Sequence, residues 1–130
     1  MLKVLAFLTK RAGMEMQAFI DYYENKHVPL IRSLAPTPIV YKRRYLVWDD
    51  APTKASGAVD FDAVTEVGFP DRAALLAWMA QLSGPGAGEQ VAADEAKFLD
   101  RSRTRAYVVE EHVTGGVRDT VGDREANPRT

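Results

Sequence analysis

The chain has 130 residues, 46% of them hydrophobic, which is enough for one packed core and too few for two ordinary domains. Its 17 basic and 18 acidic residues leave a formal charge of -1, so neither nucleic acid nor an anionic membrane is an expected partner. With no cysteine and only two histidines there is no disulfide framework, thiolate nucleophile, sulfur site or imidazole cage, and no cofactor or metal is expected.

Leu2-Lys3-Val4-Leu5-Ala6-Phe7-Leu8 is mostly apolar on both faces and reads as a central strand, not as the charged and then apolar start of a signal peptide. Nowhere does an apolar run reach membrane-spanning length, so a cytoplasmic protein is expected. After the polar connection Lys10-Arg11-Ala12-Gly13, the residues Met16, Phe19, Ile20 and Tyr23 recur at helical spacing and define one buried stripe. His27 lies one turn beyond Tyr23 on that stripe. A histidine so placed is often a core residue satisfied by a backbone carbonyl; it is also how a protein aims a group that titrates near neutrality into an apolar site. Pro29 disfavours helical geometry at Val28 and is expected to leave His27 near a helix end, with a looser continuation to Leu34.

Residues 39–48 are aromatic and β-branched, hence a strand, with Tyr41, Arg43 and Tyr45 on one face and Lys42, Arg44 and Leu46 on the other. Cations on both faces suit either an edge strand protected from aggregation or a strand beside a cleft. Residues 49–60 read as a loop that can act as a mobile flap. In the strand at residues 61–69, Asp62, Val64, Glu66 and Gly68 share one face, while Ala63, Thr65, Val67 and Phe69 pack on helices. The two carboxylates then need a partner, with Arg43, Arg44, Lys42 and His27 as candidates.

Asp71 opens a helix with Leu75, Leu76, Trp78, Met79 and Leu82 as core, closed by Ser83-Gly84-Pro85-Gly86. A further helical run spans residues 89–99, in which Asp94, Glu95 and Asp100 read as a solvated face without a role. Residues 103–113 form the last strand, with His112 at its surface end, and residues 114–130 read as a disordered polar tail after a domain at 1–113. Setting the extra helix aside, the order βαββαβ is that of a ferredoxin-like α+β fold, an antiparallel four-stranded sheet with helices on one face. The uncovered face would expose Leu5 and Phe7, or Val4, Ala6 and Leu8, together with Val64 and Tyr45, an apolar patch best covered by a second copy in a homodimer.

Four segments carry a family resemblance: the opening strand with Lys10-Arg11-Ala12-Gly13, the run from Tyr22 to Leu30 with its Tyr-x-x-x-x-His-x-Pro element, the run from Phe61 to Glu66, and Ala93-Asp94-Glu95-Ala96-Lys97-Phe98-Leu99-Asp100. In this order they resemble the EthD family of dimeric α/β barrel proteins. The resemblance implies ferredoxin-like subunits that pair through their sheets into a dimeric α/β barrel. Members occur beside oxidative degradation systems, and fungal relatives resemble dehydratases or decarboxylases of aromatic polyketides. Carried over by position, His27 and Asp62 are the expected catalytic pair, within reach of each other at the mouth of an apolar pocket, with Tyr23 and Glu66 next in rank. Gly68 departs from the large aromatic residue that relatives often carry there, which would deepen the pocket.

The expected function is that of a cofactor-independent lyase or isomerase acting on a small hydrophobic, aromatic or polyketide-like molecule. His27 would move a proton, Asp62 would orient it, and Tyr41, Arg43 or Tyr45 would polarise a carbonyl or phenolate. The rival reading is a non-catalytic small-molecule binding or accessory protein, in which His27 and Asp62 form a structural pair.

Overall fold

The computed structural model describes residues 1–50 and 61–116. Its elements are β1 (Leu2–Leu8), α1 (Met16–Tyr22), a π-helical turn (Tyr23–His27), α2 (Val28–Leu34), β2 (Val40–Tyr45), β3 (Ala63–Phe69), α3 (Arg72–Ser83), α4 (Ala87–Glu95) and β4 (Arg105–Val109). The flap expected at residues 49–60 falls largely outside the described residues, with only a 3-10 turn at Trp48–Asp50 seen, and so does the tail from residue 117. None of the described helices is long and apolar enough to cross a membrane.

The sheet order is β2-β3-β1-β4, every pair antiparallel, which is the ferredoxin-like arrangement. The doubly apolar β1 is flanked on both sides, as its composition demands, and cationic β2 is an edge strand. Alternation then sorts the side chains. Register sets Tyr41 beside Val67, Arg43 beside Thr65 and Tyr45 beside Ala63 on the helix-covered face, together with Val4, Ala6 and Leu8. Leu5, Phe7, Val64 and Tyr107 take the outer face, so the outward strand-one residues are Leu5 and Phe7, while Tyr45 does not belong to that patch.

Glu66 sits in the middle of the outer face and is nevertheless only 5% exposed. Its Oε1 accepts from Arg44 Nη1 at 2.9 Å, and its Oε2 lies 3.1 Å from Lys3 Nζ, at ion-pair range but without a directed hydrogen bond. Burial alone would raise its pKa, but Lys3 and Arg44 more than offset that and hold the carboxyl below its ordinary value. Gly68 also lies on this face, where an added Cβ would stand 3.0 Å from Val40 Cβ and 2.9 Å from Met1 Sδ. It is a close approach between strands and does not deepen a pocket, contrary to the expectation from its position in the family pattern.

The core is divided. One buried cluster gathers Phe19, Tyr23, Val28 and Phe98 around Leu8 and Ala63, and the other gathers Val67, Phe69 and Leu75. Asp71 caps α3 by accepting from Ala74 N–H at 2.9 Å, and Gly86, at φ 80°, makes the turn from α3 into α4. The last helix is shorter than the spacing predicts, ending at Glu95, and the chain then passes through the buried pair Phe98 and Leu99, with Lys10 bridged to Leu99.

Candidate active site

Pro29 does not end the first helix. Val28 is helical at φ -57° and ψ -47°, and the chain continues into α2 by widening the turn ahead of the proline. Val28 N–H reaches back to the carbonyl of Tyr23, five residues away, in place of the ordinary four. Proline has no N–H to give, and the wider turn absorbs that loss locally instead of breaking the helix. The consequence is positional: Tyr23 and His27 both point inward, 2% and 7% exposed.

The imidazole of His27 is fixed from three sides. Its Nδ1 lies 2.7 Å from Asp94 Oδ2, Phe98 lies beneath it with ring centroids 4.9 Å apart, and the Tyr23 ring meets it edge-on at 5.2 Å. Asp94 comes from the last turn of α4, and its second oxygen accepts from Tyr22 OH at 2.7 Å. Burial and that bond push the Tyr22 hydroxyl up to about 12. His27 lines a cavity, and with Nδ1 occupied by Asp94, Nε2 is the other ring nitrogen. Beside it, Tyr23 OH is hydrogen-bonded to Thr65 Oγ1, and burial raises the Tyr23 pKa, so the phenol stays protonated. Two hydroxyl protons share one bond, so one proton is left to donate elsewhere.

These groups open on a cavity of about 650 Å³ between the sheet and the helices. Its floor is Val4, Ala6, Thr65 and Val67, with Tyr41 at one side, and its roof is formed by Leu75, Trp78 and Leu82 of α3 and Val91 of α4. It occupies the space between the two core clusters, within the range of about 300–1,000 Å³ usual for small-molecule sites. Among the described residues no group of three or more His, Asp or Glu side chains is placed to hold a metal ion.

Of the residues singled out in the sequence, the structure brings His27, Tyr23 and Tyr41 to this cavity. Asp62 is not with them. It precedes β3 and belongs by alternation to the outer side, where its Oδ2 accepts from Lys10 N–H at 2.8 Å and its own N–H donates to Leu8 carbonyl at 2.7 Å. Asp62 therefore ties down the turn after β1, and the expected pairing with His27 is replaced by Asp94. Arg43 and Tyr45 do lie on the helix-covered face but outside the cavity, where Arg43 forks onto Glu24 at 3.0 and 2.6 Å and Tyr45 OH donates to the same carboxylate. The hydrogen bonds from Arg43 lower the Glu24 pKa, and burial with the nearby Glu24 raises that of Tyr45. Glu66, on the outer face, is likewise absent from the cavity.

Three contributors went unassigned in the sequence: Asp94, Thr65 and Glu95, the last lining the cavity and accepting from Arg101 at 3.1 Å. A faint signal existed for Asp94. Tyr22, half-buried, and His27, buried, sit five residues apart along the first helix and both need an acceptor, which the acidic run ahead of Phe98 supplies. Met79, expected in the core, is 51% exposed at the open side of the cavity, whereas His112 is at the surface beside Glu110 as expected.

The EthD domain family matches residues 11–102, a span that holds the wide turn, His27 and Asp94. This chain belongs to the EthD family. An ethyl tert-butyl ether D family protein of Bacillus halodurans, 25% identical, superimposes with a TM-score of 0.57 over 86% of this chain and 100% of its own. A protein of Arabidopsis thaliana (12% identity, TM-score 0.59, 88% of this chain and 99% of that one) shares the fold. HapK of Hahella chejuensis (15% identity, TM-score 0.57, 92% and 100%) does so too. No curated protein matches the chain. EthD membership fixes family and fold, and leaves the chemistry to be argued from the site.

Proposed function

We propose that this EthD protein is a cofactor-independent acid/base enzyme of the lyase or isomerase type, acting on a small hydrophobic molecule, aromatic or polyketide-like in character. The observation that carries the reading is the bond of 2.7 Å from Asp94 to His27 Nδ1, made at the wall of an apolar cavity. Nε2 takes a proton from the substrate, and Asp94 stabilises the imidazolium that forms and holds the ring in one tautomer. The spare hydroxyl proton of the Tyr23 and Thr65 pair is available to a substrate oxygen that gains charge as the proton leaves. Help of this kind is typically worth about 10²–10⁴-fold. The same reading has two copies pair through the outer sheet face, supported by Leu5, Phe7, Val64 and the 58% exposed Tyr107 gathered there.

The test is a turnover screen of phenolic and polyketide-like compounds, read by mass spectrometry, with wild type compared with His27→Gln. The expected result is a loss of about 10²-fold or more in kcat for any compound that turns over. A compound turned over equally well by His27→Gln removes the catalytic role, leaving a binding role for the cavity.

A further inference from the structure

The cavity at His27 does not close on itself. At its far side the walls are Leu76 and Met79 of α3 facing Ala106 and Val108 of β4, and all of them line the same space as His27. Leu76, Met79 and Val108 are 54%, 51% and 46% exposed. Scattered exposed aliphatic residues need no explanation, but three from two separate elements converging on one cavity do. They cannot be dismissed as the outer-face patch either, since Val108 pairs with Val4 and alternates with Tyr107, which places it on the helix-covered face. A single ring seated at His27 would leave most of the roughly 650 Å³ unfilled.

We infer that Leu76, Met79 and Val108 form a second subsite of the cavity that takes the apolar body of an elongated ligand, two or more rings in length, whose polar end reaches His27. The inference rests on the proposed function for where the reacting end sits, and it adds the length and apolar character of the rest. Leu76, Met79, Ala106 and Val108 are all uncharged, and among the described residues the charged side chains lining the cavity besides His27 are Arg72, in the first turn of α3, and Glu95, already engaged with Arg101. The body of the ligand is accordingly uncharged, and its affinity grows with the apolar area it buries.

The experiment uses two probes. N-phenyl-1-naphthylamine, neutral and three rings long, is followed by its fluorescence, and phenol by its effect on the His27 imidazole resonances. The proteins compared are wild type and the double variant Leu76→Ser with Met79→Ser, whose sites are exposed enough for the fold to be retained. The long probe is expected to bind the double variant about tenfold or more weakly, with phenol binding unchanged. Equal affinity of both proteins for the long probe, with phenol still shifting His27, overturns the subsite and leaves the proposed function standing. If neither probe shifts His27, the assignment of the cavity as a ligand site falls and the subsite with it. Unchanged probe affinity with altered sedimentation means that a second copy covers these residues, which also overturns the inference.

Discussion

Replacing Asp94 tests the centre of the site independently of any substrate. Its two oxygens accept from His27 Nδ1 and Tyr22 OH, each at 2.7 Å, and its side chain is 12% exposed. In Asp94→Asn the shape is kept, but both bonds change from charge-assisted to neutral, a loss of about 1 kcal/mol each. The amide also presents its NH₂ to one of the two former donors, so either His27 must accept at Nδ1 or Tyr22 must turn its proton away. The total is about 2 kcal/mol, a fall in melting temperature of roughly 8 °C for a domain of this size. Asp94→Ala strands both donors and costs about 4 kcal/mol. The assay pairs thermal unfolding with nitrogen-15 NMR of the imidazoles, the exposed His112 being removed by His112→Gln to leave one ring in the spectrum. Wild type is expected to show protonated Nδ1, and Asp94→Asn a mixed or reversed tautomer. A melting temperature within about 1 °C of wild type, with the same ring pattern, would refute the pairing and with it the orienting role of Asp94.

Phe98→Ala removes a fully buried ring that touches Phe19, Tyr22, Tyr23 and His27, and is expected to cost about 3–5 kcal/mol in denaturant unfolding. Lys3→Met removes the cation beside Oε2 of the buried Glu66, leaving the half-exposed Arg44 on Oε1, and is expected to lower stability by about 3 kcal/mol, readable as a lower urea midpoint. Gly68→Ala sets a methyl against Val40 and should cost about 1–3 kcal/mol without altering ligand binding in the cavity, because the two lie on opposite faces. Glu24 has a folded pKa below its unfolded value, so its contribution is present above roughly pH 4.3 and is lost as pH falls through the folded value. Glu24→Gln should therefore flatten the acid limb of the stability curve in part, since Glu66 titrates there in the same sense.

The fold was legible because its signals are periodic. The doubly apolar β1 demanded neighbours on both sides, Asp71 and Ser83-Gly84 bounded α3, and the alternation of β3 placed Ala63, Thr65, Val67 and Phe69 on the helices, as observed. The same alternation carried the information against pairing His27 with Asp62. His27 rides on a helix and must lie on the covered face, whereas Asp62 shares the parity of Glu66 and faces away. What a sequence period cannot supply is which distant segment arrives over a given side chain. Asp94 reaches His27 across 67 positions because α4 folds back beside α2, and within its own acidic run nothing marks it over Glu95 or Asp100 as the acceptor.

Pro29 shows how a local rule fails usefully. The proline removes an N–H and is expected to end the helix, but a chain that widens one turn before it keeps both helical halves. Tyr23 packs with Phe19 in the same buried cluster, and His27 packs on Phe98 beside it. The wide turn lets Tyr23 meet Thr65 on the sheet while His27 meets Asp94 on α4, so each polar atom finds a partner in a different layer. On the sheet side, Arg43 and Tyr45 hold Glu24, inside that turn, from the edge strand. Arg43 and Tyr45, which looked like ligand contacts in the sequence, thus act one step back: they hold Glu24 in the turn that carries His27, while Tyr23 and Tyr41 reach the cavity themselves.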